Sequence, residues 1–197
     1  MKPSKYLIYF AKKFWFWYWE KLMDGFAPSD KNGHYTRKSG FNNNNNNNKL
    51  DINFEKEEKL YLIVGSTCPW CHRTILLHSM NNLSTKIDII FLQPNYAFGE
   101  WRFEDDFLKI KTLNGLYKKI NKKNIQRPTV PILVKLSNKK LQGLSNESTE
   151  IVNFLKLISD TNTYKKNIKA CDENFLTFIN DNINNGVYKC GFARNQK

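Results

Sequence analysis

The chain has 197 residues, 41% of them hydrophobic and 25% charged. That is the make-up of one or two globular domains, long enough to bury a core without staples, and it excludes wholesale disorder and collagen-like structure. The net charge of +13 raises the question of a polyanion partner. The basic residues are 26 lysines against five arginines, scattered rather than striped, and 26 asparagines accompany them. Lys, Asn, Ile, Tyr and Phe share AT-rich codons, which accounts for the bias, and readers of nucleic acid favour clustered Lys and Arg. The sequence predicts no nucleic-acid partner.

Residues 1–57 read as an N-terminal extension. Tyr6–Leu22 is an aromatic-heavy helix with Trp15, Trp17 and Trp19. Its first expectation is packing on the main domain; a second reading is an interfacial membrane helix with Lys and Trp at the boundary. An organelle transit peptide would carry Arg and Ser that this segment lacks. Its apolar runs, Tyr6–Ala11 and Phe14–Trp19, are split by Lys12 and Lys13 and fall short of the ~20 residues that span a bilayer. No transmembrane segment and no secretory signal are expected. Turn-rich sequence to Gly40 leads into seven asparagines, Asn42–Asn48, a solvated loop.

Residues 58–160 alternate strand and helix. Leu60–Val64 is a buried strand bounded by Gly65, and Pro69–Leu83 a helix with Ile75, Leu76, Met80 and Leu83 at helical spacing. Ile87–Leu92 is a second strand. Phe107, Ile110, Leu113, Tyr117 and Ile120 recur every three or four residues and predict a helix. Thr129–Val134, interrupted by Pro131, and Lys140–Leu144 form a hairpin through Ser137–Lys139. Asn146 is the expected cap of a helix over Glu147–Ile158. The order β-α-β, α, β-β-α predicts an α/β domain with a mixed four-stranded sheet and helices on both faces, the first unit a right-handed parallel crossover. Residues 164–197 read as helical, with Phe175, Phe178, Ile179 and Ile183 apolar.

The chemistry concentrates in Gly65-Ser66-Thr67-Cys68-Pro69-Trp70-Cys71-His72-Arg73. Cys68 falls at a helix N-terminus, where the dipole and free N–H groups stabilise a thiolate, and Pro69 suits the first helical position. Cys71 lies one turn deeper, in reach to resolve a mixed disulfide. A haem-attachment site, a zinc site with His72 or His78, and a purely structural pair are the competing readings. Zinc would need a second tight pair, and Cys171 and Cys190 are 19 apart; no metal is expected. Cysteine usage points to a reducing, intracellular compartment, taken as cytoplasmic with an organelle as the other setting. In Arg127-Pro128-Thr129-Val130-Pro131, a proline within a strand pattern marks an edge, a bulge or a cis turn; a cis Val130–Pro131 bond leaves the Val130 backbone to pair with an extended peptide. Ser145-Asn146-Glu147-Ser148 offers a hydroxyl and free N–H groups to a carboxylate and a carboxylate to an ammonium; a simple helix cap is the plainer account.

Taken together, Cys-Pro-Trp-Cys-His-Arg, Thr-Val-Pro, Asn-Glu-Ser and Asn-Asn-Gly-Val-Tyr-Lys-x-Gly-Phe-Ala, with Gly99-Glu100-Trp101-Arg102-Phe103, resemble the glutathionyl-hydroquinone reductases, the Xi class of glutathione transferases. The motifs keep that family's order over roughly residues 60–196. The resemblance implies a thioredoxin-like domain followed by an all-helical domain, with glutathione as co-substrate and glutathionylated aromatic molecules as substrates. It implies that Cys68 is the nucleophile, that Val130 before cis-Pro131 pairs with the cysteinyl part of glutathione, that Glu147 and Ser148 hold the γ-glutamyl head, and that Trp101 and Arg127 line the ligand. The family more often has Ala or Ser at the position of Cys71, which leaves a glutaredoxin-like dithiol route open. The family also continues beyond the position of Lys197, through the helices that supply its aromatic pocket and dimer surface. A shortened relative that binds glutathione or a protein without turnover is therefore the second expectation.

Overall fold

The computed structural model describes residues 4–33, 58–121, 128–159 and 172–192. Arg127, Tyr164, Cys171 and the Asn42–Asn48 run lie outside them. The chain divides into two units, Ser39–Lys166 and Met1–Lys38 with Asn167–Lys197.

In the second unit Lys5–Phe26 is one helix, α1, whose first turn is capped by the Ser4 hydroxyl accepting from the Tyr6 N–H. Within it Tyr6, Phe10, Phe14, Trp15 and Phe16 are each at least 60% exposed. Apolar side chains occupy successive positions, so they point around most of the circumference. Among the described residues no helix is long and apolar enough to cross a membrane.

The first unit is built on a six-stranded sheet. Strand β1 (Lys59–Gly65) runs at its centre and leads into helix α2 (Pro69–Met80), then a 3₁₀ turn at Leu83–Thr85 and strand β2 (Ile87–Asn95). β1 and β2 are parallel, with Leu60 opposite Ile87 and Gly65 opposite Leu92. Next come β3 (Glu100–Phe107), β4 (Ile110–Thr112) and helix α3 (Leu113–Ile120), then β5 (Ile132–Ser137), β6 (Lys140–Ser145) and helix α4 (Ser148–Leu157). The strand order is β4-β3-β2-β1-β5-β6, every pairing but β1–β2 antiparallel. Leu62, Ile63 and Val64 are all fully buried. Successive strand residues face opposite ways, so both faces of the sheet are covered. α2 and α4 pack on each other, and α3 lies against β3, β4 and β6.

The expected sheet of four strands is present as β2-β1-β5-β6 and is widened by a hairpin. The 107–120 segment, read as one helix, splits: Phe107 pairs with Ile110 across a turn at Leu108 and Lys109, whose φ values are 51° and 63°. Only Leu113–Ile120 is helical, its N-terminus capped by the Thr112 hydroxyl. β5 starts after Pro131 rather than at Thr129, because proline brings no N–H to the ladder. In α2 the inner face is Cys71, Thr74, Leu77 and His78, while Leu76 and Met80 are exposed. The buried His78 Nε2 meets the Ile87 carbonyl at 2.8 Å, which is how a polar ring is accommodated on that face. In the second unit, α5 (Glu173–Ile179) continues through one π turn at Asn180–Asn184 into α6 (Gly186–Phe192), with Phe175, Phe178 and Ile183 exposed.

Left-handed backbone at two successive non-glycine residues costs about 1–2 kcal/mol each. Leu108→Asn combined with Lys109→Gly should therefore raise the unfolding free energy by about 1 kcal/mol in urea titrations. An unchanged or lower midpoint would show that the turn is not strained.

Candidate active site

The strand register collects the chemistry at one edge of the sheet. β1 ends at Gly65 beside Leu92, β5 begins opposite Ile63, and β6 ends with Ser145 opposite Leu133. The segments after β1, before β5 and after β6 are thus neighbours, and α2 and α4 both start there.

Leaving β1, the chain turns tightly. The Ser66 N–H bonds the Leu92 carbonyl and the Cys68 N–H bonds the Gly65 carbonyl. Cys68 is the N-cap of α2 in extended conformation, with Pro69 behind it. Its carbonyl accepts from the Cys71 and His72 N–H groups, closing the first turn, and its half-buried Sγ lies 3.7 Å from the Val130 carbonyl oxygen. Cys71 is fully buried and its Sγ accepts the Gly65 N–H at 3.3 Å. A hydrogen bond with the Cys68 sulfur, and after it burial, push the Cys71 thiol far up, with the Gly65 N–H pulling the other way. Cys71 therefore stays protonated, one turn below an accessible neighbour.

The Val130–Pro131 peptide is cis, as the sequence suggested, and Val130 borders the site. Glu147, not Asn146, takes the N-cap position of α4, and its side chain makes no cap bond. The Ser145 hydroxyl replaces it, accepting the Glu147 N–H and donating to Glu150 Oε2 at 2.6 Å. Ser148 opens the helix and is buried.

Asn146 is drawn elsewhere, into a network the sequence did not announce. Its Nδ2 donates to Tyr117 Oη and to Thr129 Oγ1, each at 3.1 Å. The Tyr117 hydroxyl donates to the Thr129 carbonyl at 2.9 Å and accepts the Thr129 N–H. One phenol thus ties α3, the segment entering Val130 and the start of α4. Burial foremost raises the Tyr117 hydroxyl above the ordinary tyrosine range, with hydrogen bonds from Thr129 and Asn146 opposing and the Glu147 carboxylate adding to the rise.

Trp101 stands on β3 opposite Pro94, and its ring covers Gly65: a Cβ there would come within 2.7 Å of the indole. The close approach is what requires glycine, and it sets Trp101 beside the Cys68 turn. Cys68, Trp101, Val130, Glu147 and Ser148 therefore share this edge, and Arg127 lies outside the described residues. Among the described residues, no three His, Cys, Asp or Glu side chains are grouped so as to hold a metal ion. Two helix N-termini on one edge, with a thiol at the first, suit an anionic ligand that carries sulfur.

No family model matches the chain. It is similar to glutathionyl-hydroquinone reductase YqjG of Escherichia coli, 28% identical over 156 residues that take in 72% of this chain and 47% of that protein. The chain thus spans about half the length of the curated relatives it matches. Among solved structures it resembles the Xi glutathione S-transferase of Phanerochaete chrysosporium with a TM-score of 0.64, at 23% identity over 85% of this chain and 59% of that one. It also resembles the glutathione-bound structure of YqjG, with a TM-score of 0.53 at 30% identity over 72% of this chain and 50% of that one. The fold is the thioredoxin-like α/β sheet with a helical part after it.

Two substitutions probe this edge. Gly65→Ala forces the Trp101 ring aside and should cost about 1–3 kcal/mol of stability, read by thermal unfolding; a neutral effect would mean the ring moves freely. Tyr117→Phe should cost about 1–2 kcal/mol at pH 7, because Thr129 and Asn146 lose a partner. The folded state keeps the Tyr117 proton after the unfolded chain releases it near pH ~10, so this group's contribution is whole below that pH and falls as pH rises through it. Stability of the Phe variant should therefore decline less steeply above pH ~10, and an unchanged alkaline slope would contradict the assignment.

Proposed function

We propose that this relative of the glutathionyl-hydroquinone reductases and Xi-class glutathione transferases is a glutathione-dependent thiol transferase or reductase with Cys68 as its nucleophile. The observation that carries the reading is the placement of Cys68 at the α2 N-terminus, against the Val130 carbonyl and on the same sheet edge as the α4 N-terminus. The positive end of the α2 dipole favours the thiolate, and a hydrogen bond from the Cys71 thiol favours it further. The Val130 carbonyl, accepting from the Cys68 thiol, favours the protonated form until ligand takes its place.

In this reading glutathione lies extended along the edge. Its cysteinyl amide pairs with the Val130 backbone. Its γ-glutamyl carboxylate meets Ser148 and the first N–H groups of α4, while Glu147 takes the ammonium group. Trp101 walls the ligand, and the family resemblance adds Arg127 to it. The Cys68 thiolate attacks the sulfur of a glutathionyl-hydroquinone. An S–S bond forms and the carbon–sulfur bond breaks; its electron pair goes to the ring carbon, which takes a proton from solvent. A second glutathione thiolate then attacks the mixed disulfide, releasing oxidised glutathione and restoring the Cys68 thiolate. The protein works in a reducing, cytoplasmic setting on small glutathionylated aromatics, without nucleic acid or metal.

The Cys71 thiol beside Cys68 favours a second reading, a glutaredoxin-like dithiol route in which Cys71 displaces glutathione from the mixed disulfide. Binding of glutathione without turnover is the remaining alternative.

An assay with glutathionyl-menadiol and reduced glutathione separates the three. Cys68→Ser should lower kcat by roughly 1,000-fold or more, and Cys71→Ser should keep most of the activity. Full turnover in Cys68→Ser would sink the nucleophile assignment. Loss of turnover in Cys71→Ser, with the Cys68–glutathione adduct accumulating in mass spectra, would select the dithiol route. Calorimetric binding of glutathione with no product would leave a binding module.

A further inference from the structure

Helix α1 carries a surface that the catalytic reading does not use. At 3.6 residues per turn, Leu7, Ile8, Phe14, Trp15, Tyr18 and Leu22 fall within one sector of its circumference. The rings are already ordered in rows: within the sector Phe14 stacks on Tyr18, and at its border Trp15 stacks on Trp19, each pair with centroids 6.4 Å apart. All but Leu22 of the six are at least 44% exposed. The charges are sorted around this stripe. Lys12 and Lys21 sit on its two borders, while both acids of the helix, Glu20 and Asp24, lie on the far side with Lys13, among the rings of Tyr6, Tyr9, Phe16 and Trp17. An apolar stripe edged by lysines, with the acids of the helix on the far side, matches a helix lying in the plane of a bilayer interface, the lysines reaching phosphate from either side.

We propose that α1 is a membrane-surface anchor that seats its Leu7–Leu22 stripe in the headgroup region of an anionic bilayer. Charge decides between this occupant and a second copy of the chain. Each copy carries +13, so pairing brings like charges together, whereas an anionic leaflet attracts each basic residue near it. The helix, about 33 Å long at 1.5 Å per residue, lies along the surface rather than through it.

The test is sedimentation of the full chain with phosphatidylcholine vesicles, with and without about 30% phosphatidylglycerol. Binding should be at least 10-fold tighter to the anionic vesicles, fall when salt is raised from about 0.1 to 0.5 M, and come with a blue shift of tryptophan emission. Phe14→Glu with Trp15→Glu should weaken binding about 10-fold or more. Both side chains are exposed, so far-UV circular dichroism and the melting temperature should not change. Phe16→Glu, on the lysine-12 and lysine-13 side and equally exposed, should keep affinity within about 3-fold. Equal binding to neutral vesicles, no binding to either, or equal loss in the Phe16 variant would overturn the proposal. So would a lipid-free dimer in light scattering that the Phe14/Trp15 variant dissolves, since that assigns the stripe to a second copy.

Discussion

The candidate site depends on one buried hydroxyl. The sheet brings three chain segments to a common edge, but register alone leaves their ends loose, because residues beyond a strand have no ladder to hold them. Tyr117 supplies what is missing. Its oxygen is shared by both backbone groups of Thr129 and by the Asn146 side chain, so the residue before Val130 and the residue before Glu147 are fixed from a single point. Buried hydrogen bonds of this kind are worth little in net stability and much in uniqueness, since any other arrangement strands a polar group.

On the other side of the edge the same economy governs the cysteines. Both sulfurs lie within one helical turn, yet their surroundings differ sharply. Cys71 is enclosed, takes an N–H from Gly65 and keeps its own proton. Cys68 caps the first turn of α2 and remains half-exposed. Gly65 serves twice: its N–H engages Cys71, and its missing side chain leaves room for the Trp101 indole. Chemistry and architecture are therefore coupled at a residue that bears no functional group.

Much of this was legible in the amino-acid order, and the misses have physical reasons. The strand–Cys-Pro–helix signature is local, so Cys68, Pro69 and Cys71 could be placed from composition and spacing. Pro131 announced itself by interrupting an apolar run. Tyr117 could not be found this way: its partners are 12 and 29 residues ahead, and in the sequence it fills an apolar slot. The β3–β4 hairpin was hidden for a similar reason. Phe107 and Ile110 happen to continue a helical spacing, and the turn between them uses Leu108 and Lys109 instead of a residue pair suited to left-handed backbone. An Asn-Gly pair does occur nearby, at Asn114-Gly115, but inside α3. A Cβ on Gly115 would crowd the Ile110 side chain at 3.2 Å. Asn146 was read as a cap because its type favours that role; the buried phenol competes for it and wins.

That same hairpin has a bearing on solubility. An open sheet border is a template onto which another chain could add a strand. Here the border is β4, three residues long with Lys111 at its middle, and its partner β3 slips register between Arg102 and Phe107, where Glu104, Asp105 and Asp106 stand exposed. An incoming strand would meet a short, irregular, charged rim. The hairpin thus acts as a guard against amyloid-like stacking on this flank.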